Sequence, residues 1–299
     1  MKRAVSVSLG SSKRDKAVEV ELLGQQVSIE RIGTDGDMER AAQLYKELDG
    51  EVDAFGVGGA DIGAQIDDKH YPYHCFKPMF RFVKQTPLVD GTGLRSTLET
   101  QVIPYIEANI GDAVTLKRAF VTLGIDRWGM TQSLLKHDYE CVFGDLMFAL
   151  GLPIPLRTER ALRIMAALLI PIASRLPYEW LYPTGEKQEQ REPKFENYYQ
   201  WATIISGDRH YVVRHMPDQL EGKIIATNTT TESDVELFRE AGVKYLVTAT
   251  PVMNGRSFGT NMLEAALVAA AGKGRALTNG ELNQAINDLG MTPQIRELN

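Results

Sequence analysis

The residues best suited to chemistry by type and spacing lie near the middle of the chain. Gly124-Ile125-Asp126-Arg127-Trp128-Gly129 forms a turn between a strand-like run and a helical run, and Asp145 closes the next strand about 20 positions on. This is the spacing of a βαβ nucleotide-binding unit. There a glycine turn and the free N–H groups of a helix start receive a pyrophosphate, and an acidic residue holds ribose hydroxyls. A full fingerprint reads G-x-G-x-x-G, whereas Asp126 stands here at the middle glycine. An aspartate repels a phosphate unless Arg127 compensates, so the turn is either a dinucleotide cradle or a tight βα connection.

Other strand ends extend the candidate set. Residues 52–61 read as a strand running into glycines, which would place Asp61 where a ligand or another backbone approaches closely. Lys84 and Asp90 flank the next strand, and Asp90 and Arg95 flank Gly91-Thr92-Gly93. A Lys–Asp pair can take the proton that leaves an alcohol as hydride leaves carbon. His210 and Arg214 follow the strand tip Gly207-Asp208, where histidine could exchange protons and arginine could clamp a carboxylate or phosphate. Alternatively they lie on a solvated strand edge. Asn228, Thr248 and Thr250 end two later strands. Arg256 and Ser257 lie in a glycine- and hydroxyl-rich stretch before an alanine-rich helix, a composition that suits an anion pocket or simple capping. His70 and His74 are separated by Pro72 and read as loop residues rather than metal ligands.

With 299 residues, 43% hydrophobic and 24% charged, the composition is that of a globular protein with room for two domains. A net charge of −6 and no basic cluster argue against nucleic acid as a partner. Two cysteines without a CxxC pair exclude a disulfide framework or a four-cysteine zinc site, and a reducing cytoplasm is the expected compartment. The longest apolar run, residues 164–173, contains Pro171 and is too short to span a bilayer, so no membrane partner is expected. The expected partner is a small-molecule substrate, and homo-oligomerisation is left open.

The elements that must position these residues read as strand 4–9, hairpin 17–23 and 26–32, helix 38–48, helix 73–84, strand 86–90, and a long helix 94–109 kinked at Pro104. The central βαβ unit follows, then a helix from Thr158, a polar surface loop at 183–194, strands 199–206, 223–227 and 243–249, and helices 232–241, 262–271 and 279–289. Alternation of strand and helix predicts an α/β chain with two domains. These are a smaller N-terminal α/β domain at 1–112 and a Rossmann-like parallel sheet with helices on both faces at 113–299. The polar strand tips should share one sheet edge.

Three stretches carry a family resemblance: residues 142–153 (VFGDLMFALGLP), 207–217 (GDRHYVVRHMP) and 255–265 (GRSFGTNMLEA). With them, the whole chain resembles bacterial proteins that carry the family name quinate 5-dehydrogenase. The resemblance implies a fold like shikimate dehydrogenases, with an N-terminal substrate domain and a C-terminal domain binding NAD or NADP, and oxidation of a cyclic alcohol. In the redox reading, the βαβ spacing puts Gly124–Gly129 on the pyrophosphate and Asp145 on the adenosine ribose, with Thr248 and Thr250 near the nicotinamide. Shikimate dehydrogenases carry a lysine in N-V-T-x-P-x-K and an aspartate in N-T-D. Neither string occurs here, and Lys84 and Asp90 are the nearest positions. The alternatives are a non-redox lyase, isomerase or transferase using Arg256, His210 and Arg214 on an anionic metabolite, and a metabolite-binding protein without turnover.

Overall fold

Alternating small β-formers at the start of the chain make a strand that can be covered on both faces, and it becomes the centre of the first of two large sheets. The structure is a computed structural model that describes residues 1–176, 191–250, 252–253, 256–257 and 259–299, with backbone alone at 252–253 and 256–257. The chain divides into two compact units. One comprises Met1–Thr97, Pro171–Tyr178 and Val252–Met291, and the other Leu98–Ile170, Glu179–Pro251 and Thr292–Asn299.

In chain order the described elements begin with β1 (Lys2–Ser8), β2 (Lys16–Leu22), β3 (Gln25–Gly33), α1 (Met38–Leu48), β4 (Ala54–Gly58), β5 (Gly63–Ile66), β6 (Lys69–Pro72), β7 (Leu88–Val89) and α2 (Thr92–Glu99). Next come α3 (Val102–Ile110), β8 (Arg118–Val121), α4 (Trp128–Lys136), β9 (Glu140–Phe143), α5 (Asp145–Leu150), α6 (Glu159–Ala173), α7 (Glu196–Trp201), β10 (Ile204–Ser206) and α8 (Arg209–Arg214). The chain continues with β11 (Ile224–Thr227), α9 (Glu232–Glu240), β12 (Tyr245–Thr248), β13 (Val252–Met253), β14 (Arg256–Ser257), α10 (Thr260–Ala271), α11 (Asn279–Asp288) and β15 (Gln294–Glu297).

The first unit's main sheet runs β2-β3-β1-β4-β7 and is parallel except for β2, which pairs with β3 as a hairpin through Gly24 at φ 72°. Helix α1 starts where the Asp37 side chain accepts from Arg40 N, and it buries Ala41, Ala42 and Tyr45. The Tyr45 hydroxyl donates to the carbonyls of Val7 at 3.3 Å and Gly56 at 3.1 Å, tying α1 to the two central strands. Helix α10 is buried from Met262 to Ala270 and packs on β1, β3 and β4. Gly56 makes this approach possible: a Cβ there would lie 2.8 Å from Asn261 O. The sequence reading assigns α10 to 113–299, whereas its apolar surface lies in the first unit.

The second unit's sheet runs β9-β8-β10-β11-β12-β15, parallel apart from β15. In order of appearance the parallel strands stand 2-1-3-4-5, a doubly wound arrangement. Its core gathers Phe120, Phe148, Tyr199, Ile205, Ile225 and Phe238. The architecture is thus mixed α/β, with parallel sheets flanked by helices, as the alternation of elements predicts. No described helix is long and apolar enough to cross a membrane.

Four segments differ from expectation. Residues 73–84 form only a 3₁₀ turn, His74–Phe80, because Pro78 denies the α-helix a donor. The expected 94–109 helix is two helices, and Pro104 sits in the first turn of α3, where its missing N–H costs nothing. Residues 199–206 are the end of α7 followed by the short β10, and Tyr199 is a buried helical residue whose hydroxyl donates to Val212 O. The run from Arg209 to Arg214 is a helix capped by Asp208 rather than a strand edge. Most of the expected polar loop at 183–194 lies outside the described residues.

Candidate functional site

The second sheet reverses its strand order between β8 and β10, since β9 lies on one side of β8 and β10, β11 and β12 on the other. In open α/β sheets, ligands bind beyond the carboxyl ends of strands at such a switch point. The turn after β8 is therefore where a pyrophosphate would be expected, and its amides are occupied. Gly124 N donates to Asp145 Oδ2 at 2.9 Å, and Ile125 N donates to Asp145 Oδ1 at 3.0 Å. In the first turn of α4, Met130 N donates to Glu99 Oε2 at 3.3 Å, while Glu99 Oε1 accepts from Arg127 Nη1 at 3.1 Å.

Two of the chain's own carboxylates thus stand where the phosphates of NAD or NADP would meet backbone N–H groups. The dinucleotide does not fit this turn in the arrangement described. Asp145 is 2% exposed and binds the turn, which corrects its expected place on a ribose. Gly144 leads the chain straight from β9 into α5, so Asp145 opens a helix beneath the turn instead of ending a strand in solvent. Burial pushes its carboxyl up to about 6 against the pull of the two amides. Gly124 sits in close packing: a Cβ there would lie 3.0 Å from Leu162 Cδ2 and from Phe143 Cδ1. Trp128 and Gly129 are buried in α4, with the Arg163 guanidinium 5.2 Å from the Trp128 ring centre.

Beside the turn the structure gathers a polar cluster. Arg127 is 4% exposed, stands at the N-cap position of α4 without a side-chain capping bond, and pairs with Glu99, with Asp126 at 3.2 Å and with Asp208. Asp208 also accepts from His210 N at 2.9 Å and from Asn228 Nδ2 at 3.0 Å. Burial alone would raise its pKa, but the Arg127 charge and the His210 amide hold it below the ordinary carboxylate value. Asn228 Oδ1 accepts from Thr227 Oγ1 at 3.0 Å, which fixes the amide between the tips of β10 and β11. Arg209 Nε bonds Asp234 at 2.6 Å, and Asp234 in turn completes the capping box of α9 with Thr231.

Two hydroxyls at the switch point stand apart from these bonds. Thr122 Oγ1 and Ser206 Oγ are buried and have no hydrogen-bond partner among the described residues. Thr122 follows β8 and Ser206 ends β10, with Thr122 N bonded to Ser206 O at 2.9 Å. Any Cβ on Gly207 would collide with the Thr122 hydroxyl, which packs into the space that the glycine leaves. The sequence reading missed Thr122, Ser206 and Glu99. A threonine and a serine in strand runs carry no sequence signal, and Glu99 lies 28 residues from the arginine it meets.

Of the remaining second-unit candidates, His210 is exposed, its backbone engaged with Asp208 and its Nδ1 3.2 Å from Arg209 Nη1. Arg214 is exposed in the last turn of α8, away from the strand tip, which corrects its expected place at the edge. Thr248 ends β12, and Thr250 is buried with its N–H on Asn228 O at 3.2 Å.

In the first unit the expected Lys84–Asp90 pair does not form. Lys84 precedes β7 and is exposed, its backbone N–H donating to Asp49, whereas Asp90 follows β7. The strand's polarity puts them at opposite sheet edges. Both Asp90 oxygens take amides, Ile62 N at 2.7 Å and Thr92 N at 2.9 Å. Asp61 and Arg95 are brought together, 3.8 Å apart, at the carboxyl edge. Sequence reasoning missed Glu264, a buried carboxylate that accepts from Leu94 N at 2.9 Å. Burial, with the nearby Asp90 charge, pushes it up to about 7. A lone acid in the apolar run MLEAALVAAA is the signal that could have found it. The anion pocket expected at Arg256 and Ser257 falls outside the described side chains, and their backbone forms β14 against β13.

Comparison with curated proteins gives no match. Among solved structures, a putative malic enzyme (malate oxidoreductase) is 15% identical with a TM-score of 0.38, covering 95% of this chain and 72% of its own. The NAD-dependent malic enzyme of Thermotoga maritima is 13% identical with a TM-score of 0.39, covering 95% and 84%. The malic enzyme of Entamoeba histolytica is 10% identical with a TM-score of 0.37, covering 86% and 61%. These are loose likenesses, and what those enzymes bind belongs to them. A family of unknown function, DUF8753, matches residues 3–90. Neither family description carries the quinate 5-dehydrogenase name. A second family model matches residues 93–298, more than half of the sequence, and the chain therefore belongs to the family described as domain of unknown function DUF8754.

Proposed function

We propose that the protein acts on a small hydroxylated metabolite held at the carboxyl edge of its second sheet, between the tips of β8 and β10. The pair of partnerless buried hydroxyls, Thr122 and Ser206, supports this reading. A buried hydroxyl without a partner costs ~1–3 kcal/mol, and a ligand hydroxyl or carbonyl relieves that cost. Asp208 and Asn228 border the place and fix its polarity. Arg127 is already engaged by three carboxylates, so the edge is arranged for neutral polar groups more than for phosphate.

Oxidation or reduction of a small polar substrate, such as a cyclic hydroxy acid, with NAD or NADP is the second reading. The doubly wound strand order and the family resemblance favour it. It requires a pyrophosphate to displace Asp145 and Glu99 from the turn amides. A non-redox lyase, isomerase or transferase, or a binding protein without turnover, requires no such displacement.

Isothermal titration of the purified chain with NAD and NADP separates the readings. Micromolar binding that weakens on Asp208→Ala establishes the dinucleotide site that the redox reading needs, and absence of binding by either removes that reading. A thermal-shift screen of cyclic polyols and hydroxy acids then tests the hydroxyl pair. A stabilising compound should lose its effect in Thr122→Val, and an undiminished shift in that variant places the ligand elsewhere.

A further inference from the structure

The first unit holds a second group of polar residues at the carboxyl edge of its sheet, around the loop that follows β1. The position a Cβ would take on Gly10 lies 2.7 Å from Arg14 Nη2, 2.9 Å from Arg31 Nη2 and 3.2 Å from Ser8 Oγ. Two guanidinium groups therefore converge over the bare face of Gly10, and any side chain at residue 10 would push them apart.

The two arginines are held differently. Arg31 is pinned: its Nη1 donates to Ser11 O at 3.0 Å and Asp15 Oδ1 at 2.8 Å, and its Nη2 donates to Ser8 Oγ at 3.0 Å. Its side chain is only 11% exposed. Arg14 is exposed, and its guanidinium has no hydrogen bond or ion pair among the described residues, yet it folds back towards Arg31. Burial and then the Arg14 charge hold the Arg31 pKa below its ordinary value.

The neighbouring acids do not separate the arginines. Asp15 Oδ1 takes Arg31 Nη1 and Gly33 N, at 2.7 Å, while Asp35 Oδ1 takes Ser12 N at 2.8 Å. Asp15 offsets the Arg31 charge, but no acid bonds the Arg14 guanidinium among the described residues, and an anion reaching both guanidinium groups makes their approach more favourable.

We propose that Arg14 and Arg31, converging over Gly10, bind an oxyanion, the phosphate or carboxylate group of a small metabolite. One partly buried, hydrogen-bonded guanidinium and one exposed, unbonded one suit this task. Arg31 supplies a preset donor, and Arg14 closes on the bound group from solvent. The site is independent of the readings offered for the second sheet.

The test is isothermal titration of the full chain at constant ionic strength with inorganic phosphate and, separately, with malonate. Wild type should bind at least one of them, and Arg14→Gln should weaken binding at least tenfold. Arg14 makes no hydrogen bond through its side chain, so this variant should keep its fold by circular dichroism. Arg14→Lys should recover part of the loss. Lys13→Gln, which removes an adjacent exposed cation, should change binding less than twofold. Phosphate alone binding identifies a phosphorylated ligand, and malonate alone a carboxylate. Failure of wild type to bind either anion overturns the proposal. So does an Arg14→Gln variant that binds as wild type does, or a Lys13→Gln variant that loses as much, since diffuse charge would then account for the binding.

Discussion

Thr122 shows how one side chain can report a site. Its hydroxyl is buried against Gly207 without a partner, so in the free protein it contributes desolvation cost and no bond. Thr122→Val keeps the shape and removes the polar atom. It should raise the melting temperature, by the equivalent of about 1 kcal/mol. A drop in melting temperature instead would show that the hydroxyl has a partner within the fold. Glu264 gives a prediction in pH. Its folded pKa, about 7, lies above the ordinary 4.5, so folding favours the protonated form. The stability it contributes is fully present below pH 4.5 and is lost as pH rises through about 7. Thermal melts of Glu264→Gln between pH 4 and 8 should show a shallower decline than wild type, and parallel curves would refute the assignment.

Helices and strands here are positioned by close approaches that single atoms permit. Helix α10 lies over β1, β3 and β4 because Gly56 leaves room for the Asn261 carbonyl. Gly56→Ala would place a methyl 2.8 Å from that oxygen and 3.2 Å from Ser6 Cβ, with backbone on one side and a short side chain on the other. Destabilisation of ~1–3 kcal/mol should follow, measurable by urea unfolding. Helix α4 shows a different device. Its N-terminal amide at Met130 and the turn before it receive Glu99 and Asp145, so the positive end of the helix is satisfied internally. That local choice by two carboxylates separates a nucleotide cradle from a sealed βα connection.

At the level of the whole molecule, each unit carries a mostly parallel sheet with an antiparallel edge strand, and each gathers its polar groups where strands end. The edges differ in charge arrangement. In the second unit Arg127 is enclosed by Glu99, Asp126 and Asp208, whereas in the first Arg31 pairs with Asp15 and Arg14 approaches it with no acid of its own among the described residues. Titration with dinucleotide and with simple anions should therefore give separate answers, and binding of phosphate should survive Asp208→Ala.

What the sequence determined by itself was periodicity and local signal. Alternating β-formers in 4–9 and 26–32, the 38–48 helix with its apolar face, the Thr158 cap and the βαβ unit are local patterns, and the structure contains them with strand ends shifted by one or two residues. Local signals misled where two competed. Tyr199, Trp201 and Ile204 have strand-like side chains, but packing of Tyr199 under Val212 makes the first part helical. Only the tertiary structure decided which polar groups meet. Asp145 has the spacing of a ribose ligand, yet Gly144 turns it under residues 124 and 125. Lys84 and Asp90 are six residues apart, yet lie at opposite ends of a strand. Glu99 with Arg127, Leu94 with Glu264, and Arg14 with Arg31 are brought together by strand order and helix packing. Sequence spacing measures distance along the chain, whereas charge pairing and burial depend on distance in space, and in a doubly wound sheet the two separate at every crossover.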